Sequence, residues 1–81
     1  MWYVYLLKCS DSSLYCGITN NIEDRITTHN SGKGAKYTRS RLPVELYWFE
    51  EQNDRSSASK REYAIKKLSR KDKIKLKNPL E

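Results

Sequence analysis

Trp2-Tyr3-Val4-Tyr5-Leu6-Leu7-Lys8-Cys9, then Ser10-Asp11-Ser12-Ser13, then Leu14-Tyr15-Cys16-Gly17-Ile18-Thr19 is the stretch that decides the fold. Its first segment is β-rich and apolar on both parities, as in a strand covered on both faces. The Ser/Asp cluster is turn chemistry and residues 14–19 return as a second strand, so the chain opens with a β-hairpin. If Tyr5 and Tyr15 share a face, the hairpin pairs Tyr5 with Gly17 and Leu7 with Tyr15. Cys9 and Cys16 then point to opposite faces and cannot be bridged. A glycine inside a strand, here Gly17, marks a bulge or the close approach of another group, and it leaves space for a phosphate.

Outward from the hairpin, Asn20 or Asn21 caps a helix whose first turn holds Glu23 and Asp24, and Ser31-Gly32 ends it. Ile22 and Ile26 mark its buried stripe, with Arg25 and His29 in a parallel row at the edge. Residues 32–43 read as a Gly-bearing basic loop without periodicity, closed by Pro43. Val44 to Glu51 reads as a third strand, with Leu46 and Trp48 on one parity and Tyr47 and Phe49 on the other. A second helix is expected from about Ser57 to Leu68, its stripe given by Ala58, Ile65 and Leu68. Ser69 can cap a short third helix from Arg70 to about Lys77. The order ββαβαα predicts an α+β fold around a three-stranded antiparallel sheet that starts with the hairpin.

With 81 residues the chain is one domain, residues 1–81, with its core over about 2–73 and a short basic helix and tail over 70–81. Six Tyr and two Trp against a single Phe mean a core built largely from aromatics with a polar handle. The net charge of +6 is uneven: residues 1–54 hold six Lys/Arg against seven Asp/Glu, and residues 55–81 hold ten against three. That cationic third suits nucleic acid better than a membrane surface, although a solvated basic face has the same composition. Two cysteines are too few for a disulfide scaffold or, with one histidine, for a zinc site, so buried free thiols are expected. The N-terminus reads as neither a secretory signal nor a membrane span, which places the protein in the cytoplasm.

Among side chains that carry chemistry, Glu62 falls midway between Ala58 and Ile65, on the side of its helix that faces the protein. A carboxylate there must be paired or metal-bound. Two structural readings compete: a capping box, Ser59-Lys60-Arg61-Glu62, and a salt bridge to a neighbouring lysine. Arg25 can clamp phosphate oxygens or pair with Glu23 or Asp24. His29 has the only side chain here that titrates near neutrality, with an ordinary pKa of about 6.5. Tyr37, between Lys36 and Arg39, can stack on a base, contact backbone or serve as an ordinary loop residue.

Tyr3-Val4-Tyr5, then Tyr15-Cys16-Gly17, then Arg25, His29 and Glu62 in that order resemble the GIY-YIG nuclease family, and in particular its small single-domain members. The resemblance runs from Trp2 to about Lys73. It implies Tyr5, Tyr15, Gly17, Arg25 and His29 as catalytic residues and Glu62 as ligand of one divalent ion, Mg²⁺ or Mn²⁺, hydrolysing phosphodiester bonds in nucleic acid, DNA before RNA, as in repair or processing. Lys33, Lys36, Tyr37, Arg39, Arg41, Lys66, Lys67, Lys71 and Lys73 would hold the substrate backbone. Tyr3 stands where the first motif has glycine. The family asparagine expected shortly after the metal glutamate has no match, since Asn78 lies far beyond Glu62 and beside Pro79. That departure leaves two rivals: a non-catalytic nucleic-acid-binding module, and a nuclease subunit that needs a protein partner for its substrate.

Overall fold

The computed structural model describes residues 1–76; the tail over 77–81, with Asn78 and the expected helix end at Lys77, lies outside the described residues. Strand β1 (Trp2–Lys8) is central, flanked by β2 (Leu14–Thr19) and β3 (Glu45–Gln52), both antiparallel to it. Between β2 and β3 lie α1 (Ile22–Asn30) and α2 (Lys36–Arg39), and α3 (Arg55–Lys66) and α4 (Arg70–Ile74) follow. The hairpin register is Tyr5 opposite Gly17 and Leu7 opposite Tyr15. Cys9 and Cys16 are buried free thiols in separate apolar clusters, on the two faces of the sheet.

The flanking elements follow local chemistry, with departures at α2, α3 and α4. Asn21 caps α1, its side chain accepting from Asp24 N at 3.0 Å, and Gly32 takes a left-handed φ of 81° just past the end. The segment expected to be irregular forms the single helical turn α2, too short to leave a periodic signature. Helix α3 starts at Arg55 rather than Ser57, because Asp54 is the cap and accepts from Ser57 N at 2.7 Å. Ser59 therefore sits inside the helix, and the capping-box reading of Glu62 falls. Ser69 caps α4 as expected, but the helix ends at Ile74.

The third strand breaks its expected alternation. Leu6 pairs with Trp48 and Leu7 with Leu46, which leaves Tyr47 as the extra residue of a bulge. Leu46 and Phe49 therefore pack on one face, and Tyr47 and Trp48 on the other. On that second face Val4, Leu6, Cys16 and Trp48 meet Ala58 and Ile65 of α3. On the first, Tyr5, Leu7, Cys9 and Val44 meet Ile26 of α1. The side chain of Asn30 fastens the end of α1 to the start of β3, accepting from Val44 N at 2.7 Å and donating to Val44 O at 3.0 Å. No helix among the described residues is long and apolar enough to cross a membrane.

Candidate active site

Because β2 is an edge strand, side chains from both faces of the sheet reach the same rim. A cleft of about 390 Å³ opens there, lined by Tyr5, Tyr15, Gly17, Arg25, His29, Lys33 and Glu62 together with Ile18, Gly34 and Ala35. The strands contribute the tyrosines and the glycine, α1 contributes Arg25 and His29, and α3 brings Glu62 from the far face. The long separation in sequence of Glu62 from the rest is closed by the sheet, since α3 packs across the back of β1 and β2.

His29 is the most buried residue of α1, only 2% exposed, while Arg25 one turn earlier is exposed. The Tyr5 hydroxyl lies 3.3 Å from His29 Nε2, and Thr38 Oγ1 lies 2.8 Å from Nδ1 on the other side of the ring. Tyr15 packs edge-on against the same imidazole, with ring centroids 5.4 Å apart. Burial, and then the Arg25 guanidinium, hold His29 below its ordinary pKa, so the imidazole is neutral at neutral pH. Burial drives the Tyr5 phenol well above its usual range; Arg25 opposes this, and Tyr15, Cys16 and Glu62 add to it. A phenol in that state gives up its proton only to an acceptor already in place, and His29 is such a group. Cys16, behind the site, is pushed up to about 11 by burial and then by Glu62, against Lys66, Lys73 and Arg61, so it stays a thiol.

Both glycines of the cleft serve this pair of rings. A Cβ on Gly17 would land on the Tyr5 hydroxyl and come within 2.7 Å of Tyr5 Cζ. The space the glycine leaves is filled by the phenol, not kept open for a ligand. A Cβ on Gly34 would strike His29 Nδ1 and lie 2.8 Å from its Cγ. Gly34 and Thr38 carried no sequence signal. The one available hint was that a buried imidazole needs partners for two nitrogens, and that the adjacent loop is where the second must come from.

Glu62 keeps 23% of its side chain exposed and pairs with Lys66 at 3.6 Å, so it is neither isolated nor sealed off. Among the described residues no group of three or more His, Cys, Asp or Glu could hold a metal ion. The donor set is thus one hard carboxylate facing an open cleft. That fits Mg²⁺ or Mn²⁺, which keep several waters and take few protein ligands, and does not fit a caged ion.

The basic residues flank the cleft on two sides. Lys33 is on its wall, and Lys36 and Arg39 are exposed on α2. Tyr37 is engaged within the protein, stacked on Tyr15 at 5.9 Å with the Arg41 guanidinium 4.0 Å above its ring. Arg41 is also paired with Asp11 at 3.0 Å, and Tyr37 stays exposed. On the other side Lys66 holds Glu62, Lys67 sits 4.2 Å over the Tyr63 ring, Lys71 is exposed and Lys73 is half-buried. None of the ion pairs among the described residues involves Arg25, Glu23 or Asp24, which leaves the guanidinium facing the cleft unclaimed.

This fold, with two tyrosine strands, an Arg/His helix and a glutamate helix around one cleft, coincides with a family model described as the GIY-YIG catalytic domain, which matches residues 1–77. The chain belongs to the GIY-YIG family. Among its relatives, a UPF0213 protein of Clostridium perfringens is 58% identical over 76 residues, spanning 94% of this chain and 82% of that protein. The solution NMR structure of a protein from E. faecalis superposes with a TM-score of 0.60 at 50% identity, over 89% of this chain and 77% of that one. That of a UPF0213 protein from Bacillus halodurans gives a TM-score of 0.55 at 46% identity, over 90% and 79%. A GIY-YIG domain points to nuclease-type activity on nucleic acid, generally with a divalent metal ion.

Proposed function

We propose that this chain is a cytoplasmic, metal-dependent endonuclease domain that hydrolyses phosphodiester bonds of DNA in repair or processing. The observation that carries the reading is that Tyr5, hydrogen-bonded to a neutral buried His29, shares one cleft with Arg25 and with a carboxylate on Glu62. Arg25 clamps the scissile phosphate and neutralises charge that grows as the bond to phosphorus is exchanged. Tyr5 Oη takes a proton from the attacking water while its own proton passes to His29 Nε2. The water oxygen bonds to phosphorus, the bond from phosphorus to the 3′ oxygen breaks, and that oxygen is protonated from solvent, leaving a 3′-hydroxyl and a 5′-phosphate. Glu62 would hold the divalent ion, Mg²⁺ or Mn²⁺, which would supply Lewis-acid chemistry at the phosphate. Lys33, Lys36 and Arg39 on one side and Lys67, Lys71 and Lys73 on the other hold the backbone without reading sequence.

One observation favours the non-catalytic module instead: Glu62 is a lone carboxylate already paired with Lys66. The two readings part in a cleavage assay on linear and branched DNA and RNA with Mg²⁺ or Mn²⁺. The nuclease reading expects cleavage by the native chain and none by Glu62→Gln, with melting temperatures that agree. Salt-dependent binding of every substrate with cleavage of none supports the binding module.

A further inference from the structure

Three contacts run in a line from the cleft into the α1–α2 turn. Tyr5 Oη meets His29 Nε2 at 3.3 Å, His29 Nδ1 meets Thr38 Oγ1 at 2.8 Å, and Thr38 Oγ1 meets the Ala35 carbonyl at 2.9 Å. With the imidazole neutral, three protons are available to fill them: one on the phenol, one on the ring and one on the threonine hydroxyl. A carbonyl oxygen cannot donate, so the Ala35 contact can be filled only by the Thr38 proton. Thr38 Oγ1 is then left to accept, which puts the ring proton on Nδ1. Nε2 in turn carries the lone pair, and the phenol proton points at it. No other assignment places one proton in each contact.

We infer that Thr38 is a positioning residue that fixes His29 in the Nδ1–H tautomer, so that Nε2 is the acceptor for the Tyr5 proton. The single turn α2 is what presents it. Ala35, the residue capping α2, keeps its carbonyl in place by also accepting from Thr38 N at 3.1 Å and Arg39 N at 3.3 Å. Thr38 itself is fully buried, and Gly34 lets the turn close onto the Nδ1 edge of the ring. In the opposite tautomer Nε2 would donate to Tyr5, and the phenol would have no base within reach. The inference deepens the nuclease reading and rests on it for its catalytic consequence, but the tautomer exists without substrate or metal.

The chain has one histidine, so a spectrum of the full protein labelled with ¹⁵N-histidine reports on His29 alone. At a pH where the ring is neutral, the native protein should show a protonated, pyrrole-like Nδ1 and a pyridine-like Nε2. Thr38→Val should move the population toward the Nε2–H form, and Thr38→Ser should restore the native pattern. On cleaved substrate, Thr38→Val should lower kcat by roughly ten- to a hundredfold with KM little changed, and Thr38→Ser should recover it. A native ring protonated on Nε2, or a Thr38→Val ring with the native tautomer, overturns the inference. Because the native spectrum can do this alone, a Thr38→Val chain that does not fold leaves it falsifiable. A native Nδ1–H tautomer in a chain that cleaves nothing counts against the nuclease reading and not against the tautomer lock.

Discussion

The two faces of the sheet are filled with different chemistry. Beneath α3, Val4, Leu6, Cys16, Trp48, Ala58 and Ile65 form an apolar layer, and its polar groups, the Glu50–Arg61 ion pair among them, are only partly buried. Beneath α1 and α2, the layer is interrupted by Tyr5, His29 and Thr38, all buried and all joined by hydrogen bonds. An apolar layer contributes free energy in proportion to the area it removes from water, whereas a satisfied polar network contributes little net stability and fixes geometry instead. The α3 face therefore supplies mainly burial, and the α1 face holds in register the groups to which we assign the chemistry. Glu62 joins them, rooted in the α3 layer and directed around the β2 edge into the cleft.

That division is most easily broken at Ile65, which is 1% exposed. Ile65→Ala should remove about 2–5 kcal/mol of stability in urea unfolding, by lost burial and a residual cavity. For a small domain that is a large share of the total, so a loss below about 1 kcal/mol would mean that the α3 face is not the main source of stability. Gly17→Ala tests the other face. Its methyl must displace the Tyr5 hydroxyl, so we expect a loss of about 1–3 kcal/mol from overpacking. Cleavage should fall much further than that loss explains, and retention of full activity would show that the phenol need not sit where it does.

A smaller effect is expected from the charge beside His29. The pKa of His29 is lowered by burial and then by Arg25, so Arg25→Gln should raise it part of the way toward about 6.5, measured by NMR titration of the single histidine. Since the folded pKa is the lower one, the unfolded chain binds more protons between the two values. The stability this contributes is present above about pH 6.5 and is lost as pH falls toward the folded pKa. Arg25→Gln should narrow that window. An unchanged titration would mean that the guanidinium does not act on the imidazole.

Much of the fold was legible because it is written locally. The hairpin and its register follow from turn residues and from Tyr5 and Tyr15 sharing a face, α1 is announced by the Asn20-Asn21 pair, of which Asn21 is the cap, and α4 by Ser69. Helix α3 starts two residues earlier than its apolar stripe marks, because the Asp54 cap that sets the start lies ahead of the first stripe residue, Ala58. The bulge at Tyr47 was hidden because strand alternation is read along one chain, while a bulge is set by pairing with another strand. In the same way the motif residues of the cleft could be named in advance, each tied to a short recognisable segment. Gly34 and Thr38 could not, because their importance lies in which edge of His29 they meet once α2 has folded back. Tyr37, an attractive base-stacking residue in sequence, is instead clasped by Tyr15 and Arg41.

If Tyr5 is present for its proton and not for its contribution to stability, Tyr5→Phe should separate the two. The substitution keeps the ring in place and removes only the hydroxyl that meets His29 Nε2 at 3.3 Å. Unfolding and single-turnover cleavage should be measured side by side on the same preparations. Stability should stay within about 1.5 kcal/mol of the native chain, one hydrogen bond's worth. The cleavage rate should fall by about a hundredfold or more, as the loss of a general base requires. Cleavage retained within a few-fold, whatever the change in stability, would contradict that role for Tyr5.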